Sequence, residues 1–163
     1  MGTDIHAYAE YRNNLGQWEE IPDYEPFSDR NYDVFSLFAG VRFRNDYVDQ
    51  FVGWGNGGIW TGRRVTPYPI VAPRGLPNDV SPSVKAKSDE DGSDGHSHSW
   101  LSVEELTNYN YDKPLRDRNI ETTPVPDEFV NRTVRETLRE NYFQELAQLQ
   151  KSKAERIVFW FDS

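Results

Sequence analysis

The chain contains three histidines, and all of them fall in two short motifs of the same spacing. Asp4-Ile5-His6 sets a carboxylate and an imidazole two residues apart, and Asp94-Gly95-His96-Ser97-His98-Ser99 repeats that interval. On an extended strand, residues i and i+2 point to the same side, so Asp4 and His6 share a face. Aspartate and neutral histidine ligate Zn²⁺, Mn²⁺ or Fe²⁺. An Asp-x-His and a His-x-His meeting in space would hold such an ion through Asp4, His6, Asp94, His96 and His98. Two ions would generate hydroxide and clamp a phosphoester for hydrolysis, with Asp4, His6, His96 and His98 as the catalytic set. The same residues also read as a hydrogen-bonded loop. In that reading His96 and His98 fasten their segment to the first strand, and Asp4 accepts backbone N–H groups. The sequence leaves both open.

A second group suits a phosphate-bearing ligand. Arg30-Asn31-Tyr32-Asp33 leads into a helical pattern, while Arg74-Gly75 and Arg63-Arg64 lie in stretches that read as loops. Guanidinium forks match phosphate oxygens. Trp54, in a glycine-rich stretch, and Trp100 offer faces on which a base can stack. Arg30, Tyr32, Arg74, Trp54 and Trp100 are therefore the expected ligand-binding side chains, for a nucleotide or another phosphate-bearing small molecule. Gly53-Trp54-Gly55-Asn56-Gly57-Gly58 satisfies G-x-G-x-x-G, but no helical pattern follows it, so it is not a dinucleotide fingerprint. Asp89-Glu90-Asp91-Gly92-Ser93-Asp94 has the composition of a calcium loop without its spacing, since Asp94 takes the glycine position and Trp100 the final acid position.

Composition limits the classes. With 163 residues the chain fits a single domain (1–163) able to bury its own core. Cysteine is absent, which removes disulfides, thiol nucleophiles and thiolate metal sites. A formal net charge of −9 argues against a duplex nucleic-acid partner, which calls for a basic footprint. Acidic residues also suit mimicry of DNA, to occupy a basic partner protein. No apolar run approaches the length of a membrane span, and Met1-Gly2-Thr3-Asp4 shows no signal-peptide pattern, so the expectation is a cytoplasmic protein with no membrane partner.

The elements that must position these residues can be read from periodicity. Asp4 to Arg12 alternates, with Ile5, Ala7, Ala9 and Tyr11 on one side and His6, Tyr8, Glu10 and Arg12 on the other. Asn13-Asn14-Leu15-Gly16 is turn chemistry and Gln17 to Ile21 alternates again, which predicts an N-terminal hairpin. Val34, Phe35, Leu37, Phe38 and Val41 form a helical stripe, with Asp33 as a cap and Gly40 as its end. Residues 44–69 read as a flexible Gly/Trp excursion and 70–93 as a loop whose acidic part spans about 85–94. Ser102-Val103-Glu104-Glu105 is a capping box opening a short helix. Residues 107–126 read as a polar connection. Pro126-Asp127-Glu128 starts one long helix with Phe129, Val130, Val134, Leu138, Tyr142, Leu146 and Leu149 down one side. Arg156 to Asp162 is a dense apolar strand. The predicted class is α+β. A mixed sheet holds the hairpin and the C-terminal strand, packed by the long helix and two short ones, with long functional loops.

Four blocks together resemble an uncharacterised family of tailed-phage proteins. They are Met1-Gly2-Thr3-Asp4-Ile5-His6, Arg30-Asn31-Tyr32-Asp33 through Ala39-Gly40-Val41-Arg42, Pro73-Arg74-Gly75-Leu76-Pro77 through Ser81, and Asp94 through Leu101. The closing Val158-Phe159-Trp160-Phe161-Asp162 fits as well. The resemblance implies a phage origin, hence the cytoplasm of a bacterial host, and blocks that meet at one site. A narrower likeness is to calcineurin-like metallophosphoesterases, through Asp4/His6 and Gly95/His96/His98. The intervening motifs of those enzymes are missing. The functions expected are metal-assisted hydrolysis of a host signalling nucleotide, sequestration of such a nucleotide without chemistry as an anti-defence device, or acidic inhibition of a host protein.

Overall fold

The first and last strands of the chain are hydrogen-bonded neighbours in the computed structural model, which describes residues 2–42, 45–50, 63–65, 69–117 and 132–163. Strand β1 (Asp4–Arg12) turns into β2 (Trp18–Glu20) and pairs on its other side with β8 (Arg156–Asp162). Strand β5 (His96–Ser102) adds to β8, so the sheet runs β2-β1-β8-β5. Backbone pairing also joins β3 (Asn45–Gln50), β4 (Arg63–Val65), β6 (Pro114–Asp117) and β7 (Arg132–Thr133) in the order β4-β3-β6-β7.

The α+β class holds, and the hairpin and C-terminal strand share a sheet as the alternation requires. Every described pair is antiparallel, however, where a mixed sheet was expected. The reason lies in how β8 enters. The Glu155 amide donates to the Glu10 carbonyl at 2.8 Å, so β8 begins beside the far end of β1 and runs back toward Asp4.

Among the described residues three short helices, rather than two, flank the sheet. Helix α1 (Tyr32–Ala39) is capped by Asn31, whose side chain accepts from the Asp33 and Val34 amides, so the cap lies two residues before the expected Asp33. Its C-cap Gly40 takes the left-handed conformation at φ 70°, as the sequence predicts. Helix α3 (Val103–Asn108) opens with the full Ser102–Glu105 capping box. Helix α2 (Pro82–Asp91) and a 3₁₀ turn (Gly92–Asp94) occupy the stretch expected to be an acidic loop. This helix starts on a Ser81 cap with proline in its first turn, and only Val84 and Ser88 on it are buried. A single apolar anchor is too little periodicity to read in a sequence, yet enough to dock a capped helix. Strands β3, β4 and β6 likewise fall where an excursion and a polar connection were expected, and Arg63 and Arg64 belong to β4.

Helix α4 (Val134–Lys151) is the long helix, and it buries Val134, Leu138, Tyr142, Leu146 and Leu149 as the stripe predicts. Thr133, extended at φ −100°, ψ 161° and paired in β7, caps its start, so the helix opens at Val134 and does not run in one piece from Pro126 as expected; Arg139 interrupts it at φ 67°, ψ 172°. The expected start at Pro126-Asp127-Glu128, with Phe129 and Val130, lies outside the described residues, as do Trp54 and the rest of 51–62.

The helices explain why β8 is apolar throughout. Ile157, Phe159 and Phe161 pack with Ile5, Ala7 and Ala9 against α1, α3 and α4. On the other face Val158 and Trp160 pack with Tyr8 and with Val84 of α2. With both faces covered, alternation disappears.

Candidate functional site

Two polar regions lie at opposite ends of the sheet. The alternation of β1 places Asp4, His6, Tyr8 and Glu10 on the α2 side, in register with Asp162, Trp160, Val158 and Arg156 of β8. At the Asp4 end, His6 Nε2 lies 2.8 Å from Asp162 Oδ2 and 3.9 Å from Asp91 Oδ2. Trp160 is fully buried, and its indole N–H donates to Asp91 at 2.5 Å. Imidazoles stack on this indole from both neighbouring strands: His6 with ring centroids 5.9 Å apart and His98 with 5.5 Å. His98 reaches α2 through Ser88, Nε2 to Oγ 3.1 Å. Burial, and then the nearby His96, hold the His98 pKa below the ordinary imidazole value, with Asp91 acting in the opposite sense.

His96 and His98 part company. The register runs from His96↔Phe161 to Ser99↔Phe159, three steps on β5 against two on β8. The extra residue makes a bulge, with Ser97 at φ 56°. His96 thereby takes the side of Phe161 and His98 the side of Trp160, although their spacing would put them on one face of a regular strand. His96 is held by Ser97 Oγ at 3.0 Å and by Ser163 Oγ at 3.0 Å.

Asp4 is occupied by Arg30 in a two-pronged pair at 2.8 Å each, which holds its carboxyl below the usual carboxylate range. Thr3 bonds Ser163, Arg42 and the Tyr32 hydroxyl. The blocks at the N-terminus, Arg30–Arg42, His96 and β8 thus converge on one end of the sheet. Their metal-ligating atoms do not converge on one point, because Trp160 stands between His6 and His98 and Asp4 is turned to Arg30. Among the described residues no group of three or more His, Asp or Glu side chains is arranged to hold a metal ion. Asp94 sits in the 3₁₀ turn, away from this network's hydrogen bonds. Arg30 and Tyr32 also line a cavity of about 460 Å³ between the start of α1 and the Arg139 break.

The second region is a cleft of about 920 Å³ at the other end of β1, between Trp18 and Trp100. At roughly 3.3 Å per residue, the length of β1 puts its Arg12 edge about 25 Å from Asp4, while Trp100, level with Val158 and Tyr8 by register, is about half as far along the strand. Arg74 and Trp100 belong here, so the expected ligand-binding set is divided between the two ends of the sheet. The Arg74 guanidinium lies over Trp100 at 4.0 Å, Arg156 over Trp18 at 3.7 Å, and Arg12 over the same ring at 5.2 Å. Each is also ion-paired. Arg12 meets Glu155 at 2.7 Å and Arg74 meets Glu105 at 2.6 Å. Arg156 meets Glu10 at 2.7 Å and Asp79 at 2.9 Å. These contacts hold the Glu105, Glu155 and Asp79 carboxyls below their ordinary values.

Glu10 is entirely buried, and its second oxygen accepts from the Ser81 amide at 2.8 Å. The Glu10–Arg156 pair is thus satisfied by hydrogen bonds, which is the condition for a buried charge to be tolerated. It fixes the cleft floor and, through Asp79 and the Trp18 N–H (3.0 Å), the wall. Arg12, Trp18, Asp79 and Arg156 are not found by motif reading. Arg156 did carry a signal: a lone cation opening a run of apolar residues, placed to face Glu10 once β1 and β8 pair. Trp54 lies outside the described residues.

Comparisons of the chain with protein-family models, curated proteins and solved structures give no match. The functional reading therefore rests on geometry.

Proposed function

We propose that the protein is a binding module that captures a phosphate-bearing small molecule of nucleotide size in the Arg/Trp cleft, without turning it over. The observation that carries this is the Arg74 guanidinium stacked on Trp100 at 4.0 Å in a cleft whose far wall repeats the arrangement with Arg156 on Trp18. The cleft volume of about 920 Å³ falls within the range of small-molecule sites. Planar guanidinium and indole groups provide stacking surface, and the exposed fork of Arg12 provides phosphate donors, while Arg74, held by Glu105, presents the face of its guanidinium.

The outermost ion pair does not close the site. Arg12 and Glu155 are 57% and 37% exposed, and such pairs contribute about 0–1 kcal/mol, so a phosphate dianion can displace Glu155 at small cost. The His residues support this reading from the other side. Each is spent on fastening: His6 to Asp162, His96 to Ser163, and His98 to Ser88. A phage protein of this kind would act as a sponge for a host signalling nucleotide in the bacterial cytoplasm.

The test uses untagged protein purified from bacterial cells and heat-denatured with and without chelator, followed by mass spectrometry of the released small molecules. Intact nucleotide is expected in both samples. Arg74→Ala and Trp100→Ala are each expected to weaken nucleotide binding by about tenfold or more in calorimetry, with circular dichroism unchanged. Failure of a panel of mono-, di- and cyclic nucleotides to bind would overturn the proposal. Turnover abolished by His98→Ala would replace it with the hydrolase.

A further inference from the structure

The charges around the cleft do not cancel, and the surplus is on the side least suited to an anion. Arg12 is matched by Glu155, Arg74 by Glu105, and Arg156 by Asp79 and Glu10. One more carboxylate, Glu104, lines the cleft. It is exposed and makes no hydrogen bond or ion pair with any described residue. In a chain of net charge −9, a free carboxylate beside a phosphate site weakens phosphate binding by like-charge repulsion. Helix α3 does not call for it either, since Glu105 already closes the capping box and puts an acid in the first turn. A group in this position is compatible with an anionic ligand only if it faces the part of that ligand that donates hydrogen bonds.

We infer that the cleft selects a guanine nucleotide, with Glu104 pairing with the base while the arginines take the phosphate; the inference rests on the nucleotide-binding reading above. Guanine presents two adjacent donors on its Watson–Crick edge, N1–H and the exocyclic N2 amino group, whose spacing matches the two oxygens of a carboxylate. Adenine presents an acceptor at N1, which meets a carboxylate with lone pair against lone pair. Charge-assisted, two-pronged pairing is the stronger class of hydrogen bond. A site built around it rejects a base that leaves the carboxylate unpaired. The exposed Asn78 amide on the same cleft adds a donor and an acceptor for the remaining base edge.

Calorimetric titration of the full chain with guanosine, inosine and adenosine monophosphates at one salt concentration tests the inference. The guanosine nucleotide is expected to bind about tenfold or more tightly than the adenosine nucleotide, with inosine, which lacks the N2 amino group, between them. Glu104→Gln is expected to weaken guanosine binding toward the adenosine value. Because Glu104 is exposed and holds no partner, its circular dichroism spectrum should match the parent. Equal affinity for the guanine and adenine nucleotides, or a preference that survives Glu104→Gln, would overturn the guanine assignment and leave the binding module standing. Absence of binding by all three, and by the wider panel, would overturn both.

Discussion

Gly2 shows how one residue can fix a motif. A Cβ built there would lie 2.2 Å from Nη1 of Arg30, so the guanidinium that grips Asp4 rests directly on the Gly2 backbone. A spacing of Met-Gly-x-Asp thus follows from letting Arg30 reach Asp4 across a bare α-carbon. Gly2→Ala is expected to push Arg30 off Asp4. The carboxyl of Asp4, now held low chiefly by its hydrogen bond to Arg30, should then titrate closer to an ordinary aspartate. Carbon-detected NMR titration of the labelled side chain measures this. An unchanged Asp4 titration would show that Arg30 keeps its grip.

His98 gives a pH dependence of definite sign. Its folded pKa lies below the ordinary imidazole value because of burial first and of His96 second, with Asp91 opposing. The unfolded chain therefore binds a proton at this site more readily than the folded one. Its contribution to stability is whole above the unfolded value, near 6.5, and is lost as pH falls through that value toward the lower folded one. Urea denaturation at a series of pH values should show this loss in the parent. It should be smaller in His98→Gln, which cannot take up the proton. An identical acid limb in both proteins would place the loss elsewhere in the molecule.

At the scale of elements, regular periodicity was readable and its interruptions were not. The hairpin, the α1 stripe with Gly40, the capping box and the buried side of α4 all follow from spacing in the sequence. The Ser97 bulge does not. It is defined by what lies opposite on β8, and nothing in His96-Ser97-His98 announces an extra residue. That one residue separates the two imidazoles whose spacing suggested a shared metal ion. The break in α4 is of the same kind. Arg139 adopts φ 67°, ψ 172°, a region close to glycine-only, where a side chain costs about 1–3 kcal/mol. Arg139→Gly is expected to leave the fold intact and to raise the thermal midpoint by a few degrees, reduced by the greater freedom of glycine in the unfolded chain. A lowered midpoint would mean that the Arg139 side chain holds α4 in place through contacts worth more than the strain.

For the whole molecule, the sequence showed the class and the hairpin and C-terminal strand sharing one sheet, but not how the polar blocks are shared out. Asp4, His6, Arg30, Tyr32 and His96 gather at one end of the sheet, and Arg74 and Trp100 at the other. A motif gives the distance between residues along the chain, whereas this division depends on strand direction. Because β1 and β5 both run antiparallel to β8, His96 lies level with Ile5 beside Asp4, and Trp100 level with Tyr8, toward the cleft. The cleft, moreover, is completed by Trp18 and Arg156, which no local pattern singles out.

The position of β8 has a consequence for how the protein is made. This strand sits between β1 and β5 in the sheet, yet residues 156–162 are synthesised after every other described element. On the ribosome, β1 emerges first and waits with one hydrogen-bonding edge open until α4 has been translated. The core side of the sheet, built on Phe159 and Phe161, cannot close before then. The sheet therefore cannot be completed until residues 156–162 have left the ribosome, and through that interval its apolar side is open to chaperones.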